Sequence, residues 1–101
     1  MDIKKVTNDN TVTVALTGRL DTVTSVQLSN ELNPILETGS ANLIFDFKEL
    51  EYISSAGLRV ILMAQKKINA QSMDMEIIGA NEMVKEVFDM TGFSEILNIS
   101  C

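Results

Sequence analysis

Histidine is missing from the 101 residues, cysteine and proline occur once each, and no apolar run is long enough to span a membrane. Without histidine the chain has neither the usual general base near neutral pH nor the commonest metal ligand. The single cysteine, Cys101, is the last residue, so no disulfide can form within the chain, and a reducing compartment suits the composition. A frayed-tail cysteine rather than a reactive thiol is expected there. Spanning a bilayer takes about 20 apolar residues, and the start Met1-Asp2-Ile3-Lys4-Lys5 leads into polar residues, unlike a signal peptide. A cytoplasmic protein with no membrane insertion is expected. Basic residues are also scarce: 8 Lys and Arg against 14 Asp and Glu give a net charge of −6. Nucleic acids and anionic membranes are bound by neutralising phosphates, so neither is expected as a partner. A basic patch on a partner protein would be attracted instead.

Hydrophobic residues make up 46% of the chain and charged residues 22%, as in an ordinary globular protein. That length suits one domain spanning residues 1–101, without linker or repeat. Asn8-Asp9-Asn10 separates Ile3–Val6 from the alternating Val12, Val14 and Leu16, which predicts an antiparallel hairpin with one buried face. Thr17-Gly18-Arg19-Leu20 ends the second strand. Asp21, with Thr22, Thr24 and Ser25, is a helix start, and Leu28, Leu32, Ile35 and Leu36 form its inward stripe. Pro34 conflicts with that helix and predicts a kink or break near Asn33.

From Asn42 to Phe47 a nearly continuous apolar run predicts a central strand, placing Asp46 at its end. Leu50, Tyr52 and Ile53 then approach a second helix, whose face carries Leu58, Ile61, Leu62 and Ile68, interrupted by Gln65. Val60 and Met63 fall on another face, available to a partner or to a neighbouring helix. Met75–Ile78 is a short strand closed by Gly79. Asn81 caps a third helix with Val84, Val87 and Phe88, which Gly92 ends with Phe93 as the accompanying contact. Ile96-Leu97-Asn98-Ile99 forms a last edge strand. The order predicts an α/β fold: a mixed β-sheet, with an N-terminal hairpin and then parallel crossings, packed with α-helices.

The segment Tyr52-Ile53-Ser54-Ser55-Ala56-Gly57-Leu58-Arg59 puts two serines where a strand gives way to a helix. Unpaired N–H groups and the positive end of the helix dipole gather there, so a serine can cap the helix or hold a phosphate. Catalysis by these serines is disfavoured. A nucleophile elbow needs Gly-x-Ser-x-Gly, and Ile53 occupies the first glycine's place. No histidine is present to activate either hydroxyl. Asp46, Glu49 and Glu51 lack nitrogen or sulfur partners for a metal, and no phosphate-binding glycine loop occurs, so no metal or cofactor is expected. Capping explains one serine but not the pair followed by Ala56-Gly57. Glycine in a first helical turn costs roughly 1 kcal/mol against alanine. Gly57 therefore signals tight packing or the close approach of another molecule.

Four segments in order carry a resemblance along nearly the whole chain. Thr17-Gly18-Arg19-Leu20-Asp21 is similar to a Gly-x-Leu-Asp turn after a second strand. Leu43 to Phe47 with Leu50 and Tyr52 is similar to a central strand and its approach. Ser54-Ser55-Ala56-Gly57-Leu58 is similar to the phosphorylation motif Asp-Ser-Ser/Thr-Gly-Leu, and Phe88-Asp89-Met90-Thr91-Gly92-Phe93 to the end of a third helix. Together they resemble a STAS domain, specifically a stand-alone bacterial anti-sigma factor antagonist. The resemblance implies a non-enzymatic switch. Unphosphorylated, it binds an anti-sigma factor serine kinase, which carries the ATP and Mg²⁺, and so frees a sigma factor. Phosphorylation at Ser55 ends binding, and a PP2C-type phosphatase restores it. The implied partner-binding residues are Asp21, Thr22, Ser54, Ser55, Ala56, Gly57, Leu58 and Arg59. Ser54 stands where the family usually has aspartate, and Ala56 where it has a second hydroxyl. The other reading is a phosphorylation-independent STAS subunit of a signalling or transport complex.

Overall fold

Asn8 and Thr11 face each other across the two-residue turn Asp9-Asn10, in which Asp9 takes a left-handed φ of 54°. Aspartate and asparagine tolerate that conformation better than most residues. The turn joins β1 (Asp2–Asn8) to β2 (Thr11–Leu20) as an antiparallel pair. The computed structural model describes residues 1–39, 41–92 and 99–100. After the hairpin come α1 (Thr22–Glu37), β3 (Asn42–Ile53), α2 (Ser55–Ala70), β4 (Met75–Ile78), α3 (Glu82–Thr91) and β5 (Ile99–Ser100).

The strands lie in the order β1-β2-β3-β4-β5, and the pairs β2–β3, β3–β4 and β4–β5 are parallel. Each crossover therefore steps the same way across the sheet. Crossovers share one hand, so helices connecting strands in a single direction collect on a single face. Burial agrees: Val14, Leu16, Leu43, Phe45, Phe47 and Ile77 are fully buried, whereas the alternating Thr13, Ala15, Ile44, Asp46, Glu76 and Ile78 are half-buried. Leu28 and Leu32 of α1, Ile61 and Ile68 of α2, and Val84 and Phe88 of α3 close the core.

Two expectations are revised: of the kink or break expected near Asn33 the break is absent, and β3 is longer than expected. Helix α1 runs through Pro34 to Glu37 without a break near Asn33. Pro34 and Asn30 are both exposed in the last turns, so the Asn30 carbonyl that loses its N–H donor lies on the water side. Strand β3 does not stop at Phe47 but continues to Ile53. Its pairing with β2 shifts register twice, between Ala15 and Thr17 and between Gly18 and Arg19, and each shift leaves an extra residue in β3. These bulges expose Lys48 and Glu49 and return Leu50 and Ile53 to the core. Asp46 is thus inside the strand, and its Oδ1 accepts from the Lys48 N–H at 3.0 Å.

On α2, Leu58, Ile61 and Ile68 are buried as expected, together with Ala64 and Gln65, while Leu62 is half-buried. Gln65 belongs to the inner face, with its Nε2 donating to Asn69 Oδ1 at 2.9 Å. Val60 and Met63 pack against the core's edge. Gly92 ends α3 at φ 78°, but Phe93, residues 96–98 of the expected edge strand and Cys101 lie outside the described residues. No helix among the described residues is long and apolar enough to cross a membrane.

Candidate functional site

Leu20 and Ile53 are paired at the ends of β2 and β3, so the two helices that follow start side by side. The Ser54 N–H donates to the Leu20 carbonyl at 2.8 Å, which fixes the second start against the first. Each start has its own cap. Asp21 Oδ1 accepts from the N–H groups of Val23 and Thr24, both at 3.0 Å. In return the Thr24 hydroxyl accepts from the Asp21 N–H at 2.8 Å, completing a capping box. The Ser25 hydroxyl donates to the Asp21 carbonyl. Bonds from the Thr24 N–H and hydroxyl, then from the Val23 N–H, with a smaller pull from Arg19, hold the Asp21 carboxyl below its ordinary value.

At α2 the cap is Ser54, whose Oγ accepts from the Gly57 N–H at 3.2 Å. Ser54 is half-buried, while Ser55, the first residue of the helix, is exposed. Among the described residues the Ser55 hydroxyl makes no hydrogen bond, and the N–H groups of Ser55 and Ala56 meet no protein acceptor. The first turn of α2 holds no acidic residue. An N-terminal dipole left without a carboxylate favours an incoming anion.

Gly57 is explained from within. A Cβ there would come 2.7 Å from Leu20 Cγ and 3.0 Å from Ile53 Cγ1. Of the two alternatives, tight packing applies: a side chain at residue 57 would push Leu20 or Ile53 aside where α2 starts against the paired ends of β2 and β3.

The expected partner-binding residues separate into two groups. Gly57 and Leu58 are buried, with Leu58 in the core. Asp21 and Thr22 at the start of α1 share the surface with Ser54, Ser55, Ala56 and Arg59 at the start of α2. Thr22, Ala56 and Arg59 also line a groove of about 400 Å³ between the two helices, with Ser25, Val26 and Val60. Val26 is exposed on its rim, and Val23 even more so one turn before. Sequence reasoning placed Thr22 at this site but missed Val26 farther along α1, because Val26 falls outside the inward stripe.

A second missed feature is Arg19, whose guanidinium carbon is 4.4 Å from the centroid of the Tyr52 ring. The two are cross-strand partners only because of the β3 bulges, which no residue pattern announces. Among the described residues, no three His, Cys, Asp or Glu side chains gather in a way that could hold a metal ion.

Comparison with known proteins agrees with this geometry. A candidate anti-sigma factor antagonist of Bordetella bronchiseptica, BtrV, is 30% identical over 92 residues, covering 91% of this chain and 79% of its own. The anti-sigma-B factor antagonist of Staphylococcus epidermidis is 25% identical over 100 residues, covering 99% and 93%. Among solved structures, the anti-sigma factor antagonist SpoIIAA in its unphosphorylated form superposes with a TM-score of 0.85 at 19% identity, covering 99% and 89%. The phosphorylated form of the Bacillus cell fate determinant SpoIIAA does so at 0.79 and 18%, covering 99% and 92%. The family model of the STAS domain matches residues 2–100. With the sheet order, the twin helix starts and this match over nearly its whole length, the chain belongs to the STAS domain family.

Proposed function

We propose that the protein is an anti-sigma factor antagonist of the phosphorylation-switched kind, acting by binding and not by catalysis. Unphosphorylated, it occupies an anti-sigma factor serine kinase through the paired helix starts and the groove between them. The kinase brings the ATP and Mg²⁺, transfers the phosphoryl group to Ser55 and thereby loses its grip. A PP2C-type phosphatase resets the site. By withholding the anti-sigma factor the protein controls transcription without touching DNA, in keeping with a cytoplasmic location.

The observation that carries this reading is the division of labour between the two serines. Ser54 spends its Oγ on the cap and is half-buried, whereas Ser55 is exposed and unbonded on the helix's first residue. A phosphate on Ser55 would add a charge of about −1.5 to −2 beside free N–H groups that suit it, without disturbing the cap. A partner packed closely over Ala56 would meet a hydrated dianion. The relatives' names, and the existence of SpoIIAA in phosphorylated and unphosphorylated forms, support the same reading.

The test is transfer of labelled phosphate from ATP by a purified anti-sigma factor kinase. Incorporation should be abolished in Ser55→Ala and retained in Ser54→Ala. Incorporation that survives Ser55→Ala sinks this assignment. Tight binding with no incorporation into the unaltered protein would favour a phosphorylation-independent STAS subunit of a signalling or transport complex.

A further inference from the structure

Arg59 follows Ser55 by four positions on α2, and both residues are exposed. Helical residues four apart share a face, with Cβ atoms about 5–6 Å apart, and an anion placed N-terminal to its cation is the better order. Arg59 has no other claim on it. It joins no ion pair or hydrogen bond among the described residues, and Ser55–Ala70 contains no acidic residue to compete. On the neighbouring elements, Asp21 is held in its capping box and Glu31 pairs with Lys5 at 2.6 Å. Arg19, the other cation near the helix starts, already lies over Tyr52.

Arg59 also has a definite place in the unmodified surface. It lines the groove between α1 and α2 with Thr22, Val26, Ala56 and Val60, and is the one cation in that groove among the described residues. On its other side it borders a basic strip on the outer face of α2, with Met63, Lys66 and Lys67.

We propose that Arg59 is the built-in counter-ion of a phosphorylated Ser55, and that its capture withdraws the cation from the groove. The inference rests on the reading of Ser55 as the acceptor. It adds a second effect to the bulk of the phosphate. A partner carboxylate that had faced Arg59 loses its counter-charge at the same moment that the dianion appears. Guanidinium suits this task, since its planar fork can meet two phosphate oxygens at once.

The test needs no kinase. Protein carrying phosphoserine at position 55, installed during translation, is titrated by ³¹P NMR beside the same protein with Arg59→Gln or Arg59→Lys. The phosphate's second pKa should be lower with Arg59 than with Gln by about 0.3 pH unit or more. Lysine should keep part of the difference, and ~1 M salt should shrink it. Arg59 is exposed, so amide spectra should show all three proteins folded. Equal pKa values with Arg59 and Gln overturn the pairing. That result would leave phosphorylation at Ser55 standing, because the kinase labelling tests it independently.

Discussion

At Gly57 two opposing demands meet in one residue. Alanine would favour the helix by roughly 1 kcal/mol. Its Cβ would also press to 2.7 Å from Leu20 Cγ and 3.0 Å from Ile53 Cγ1. Overpacking of this kind costs typically about 1–3 kcal/mol. Packing therefore wins, and Gly57→Ala should lower stability by about 1 kcal/mol, a fall in Tm of roughly 5 °C by calorimetry. An unchanged or higher Tm would show that Leu20 gives way freely. The sequence makes Gly57 conspicuous but leaves its reason open, because the obstructing side chains come from two strand ends brought together only by the fold. Ser54 and Ser55 are similar: their adjacency is visible in the chain, whereas which one caps is decided by the bond from the Gly57 N–H.

Helix α1 shows how an element outweighs a local signal. Proline inside a helix removes one hydrogen bond and strains the preceding turn, yet Pro34 stands three residues before the end on the exposed side. The buried Leu28, Leu32 and Leu36 hold the helix together across it. Pro34→Ala should restore the bond to Asn30 and raise stability by about 1–2 kcal/mol, after allowing for the lost rigidity of the unfolded chain. Chemical denaturation checks this, and a lower midpoint would mean that Pro34 fits its site better than helix rules suggest. The hairpin, the polar caps Asp21 and Asn81, and Gly92 are legible in advance because each depends on residues within a few positions of one another. Strand β3 is not, because its two bulges break the alternation at Lys48-Glu49 and again before Tyr52. Its full length is set by pairing with β2, a partner some thirty residues away.

Over the whole molecule, the site combines parts from four elements: the ends of β2 and β3 and the starts of α1 and α2. The backbone bond from Ser54 to Leu20, the capping box at Asp21 and the missing side chain at Gly57 all hold that junction still. Phosphorylation at Ser55 should therefore leave the fold as it is while taking the net charge from −6 to about −8. In ¹H–¹⁵N spectra, shifts should be confined to the starts of α1 and α2. Changes reaching α3 or β4 would instead indicate a rearrangement of the domain. The charge reading of the chain argued against phosphate-bearing partners at the scale of the molecule, and α2 shows the local exception, a helix of only positive charge in an acidic protein. The latch between Ser54 and Leu20 also bears on timing. With both strand ends already tied in place, the phosphorylation proposed at Ser55 should take effect without a slow relaxation of the fold. The response should then keep pace with the proposed kinase and phosphatase, and carry no memory of earlier cycles.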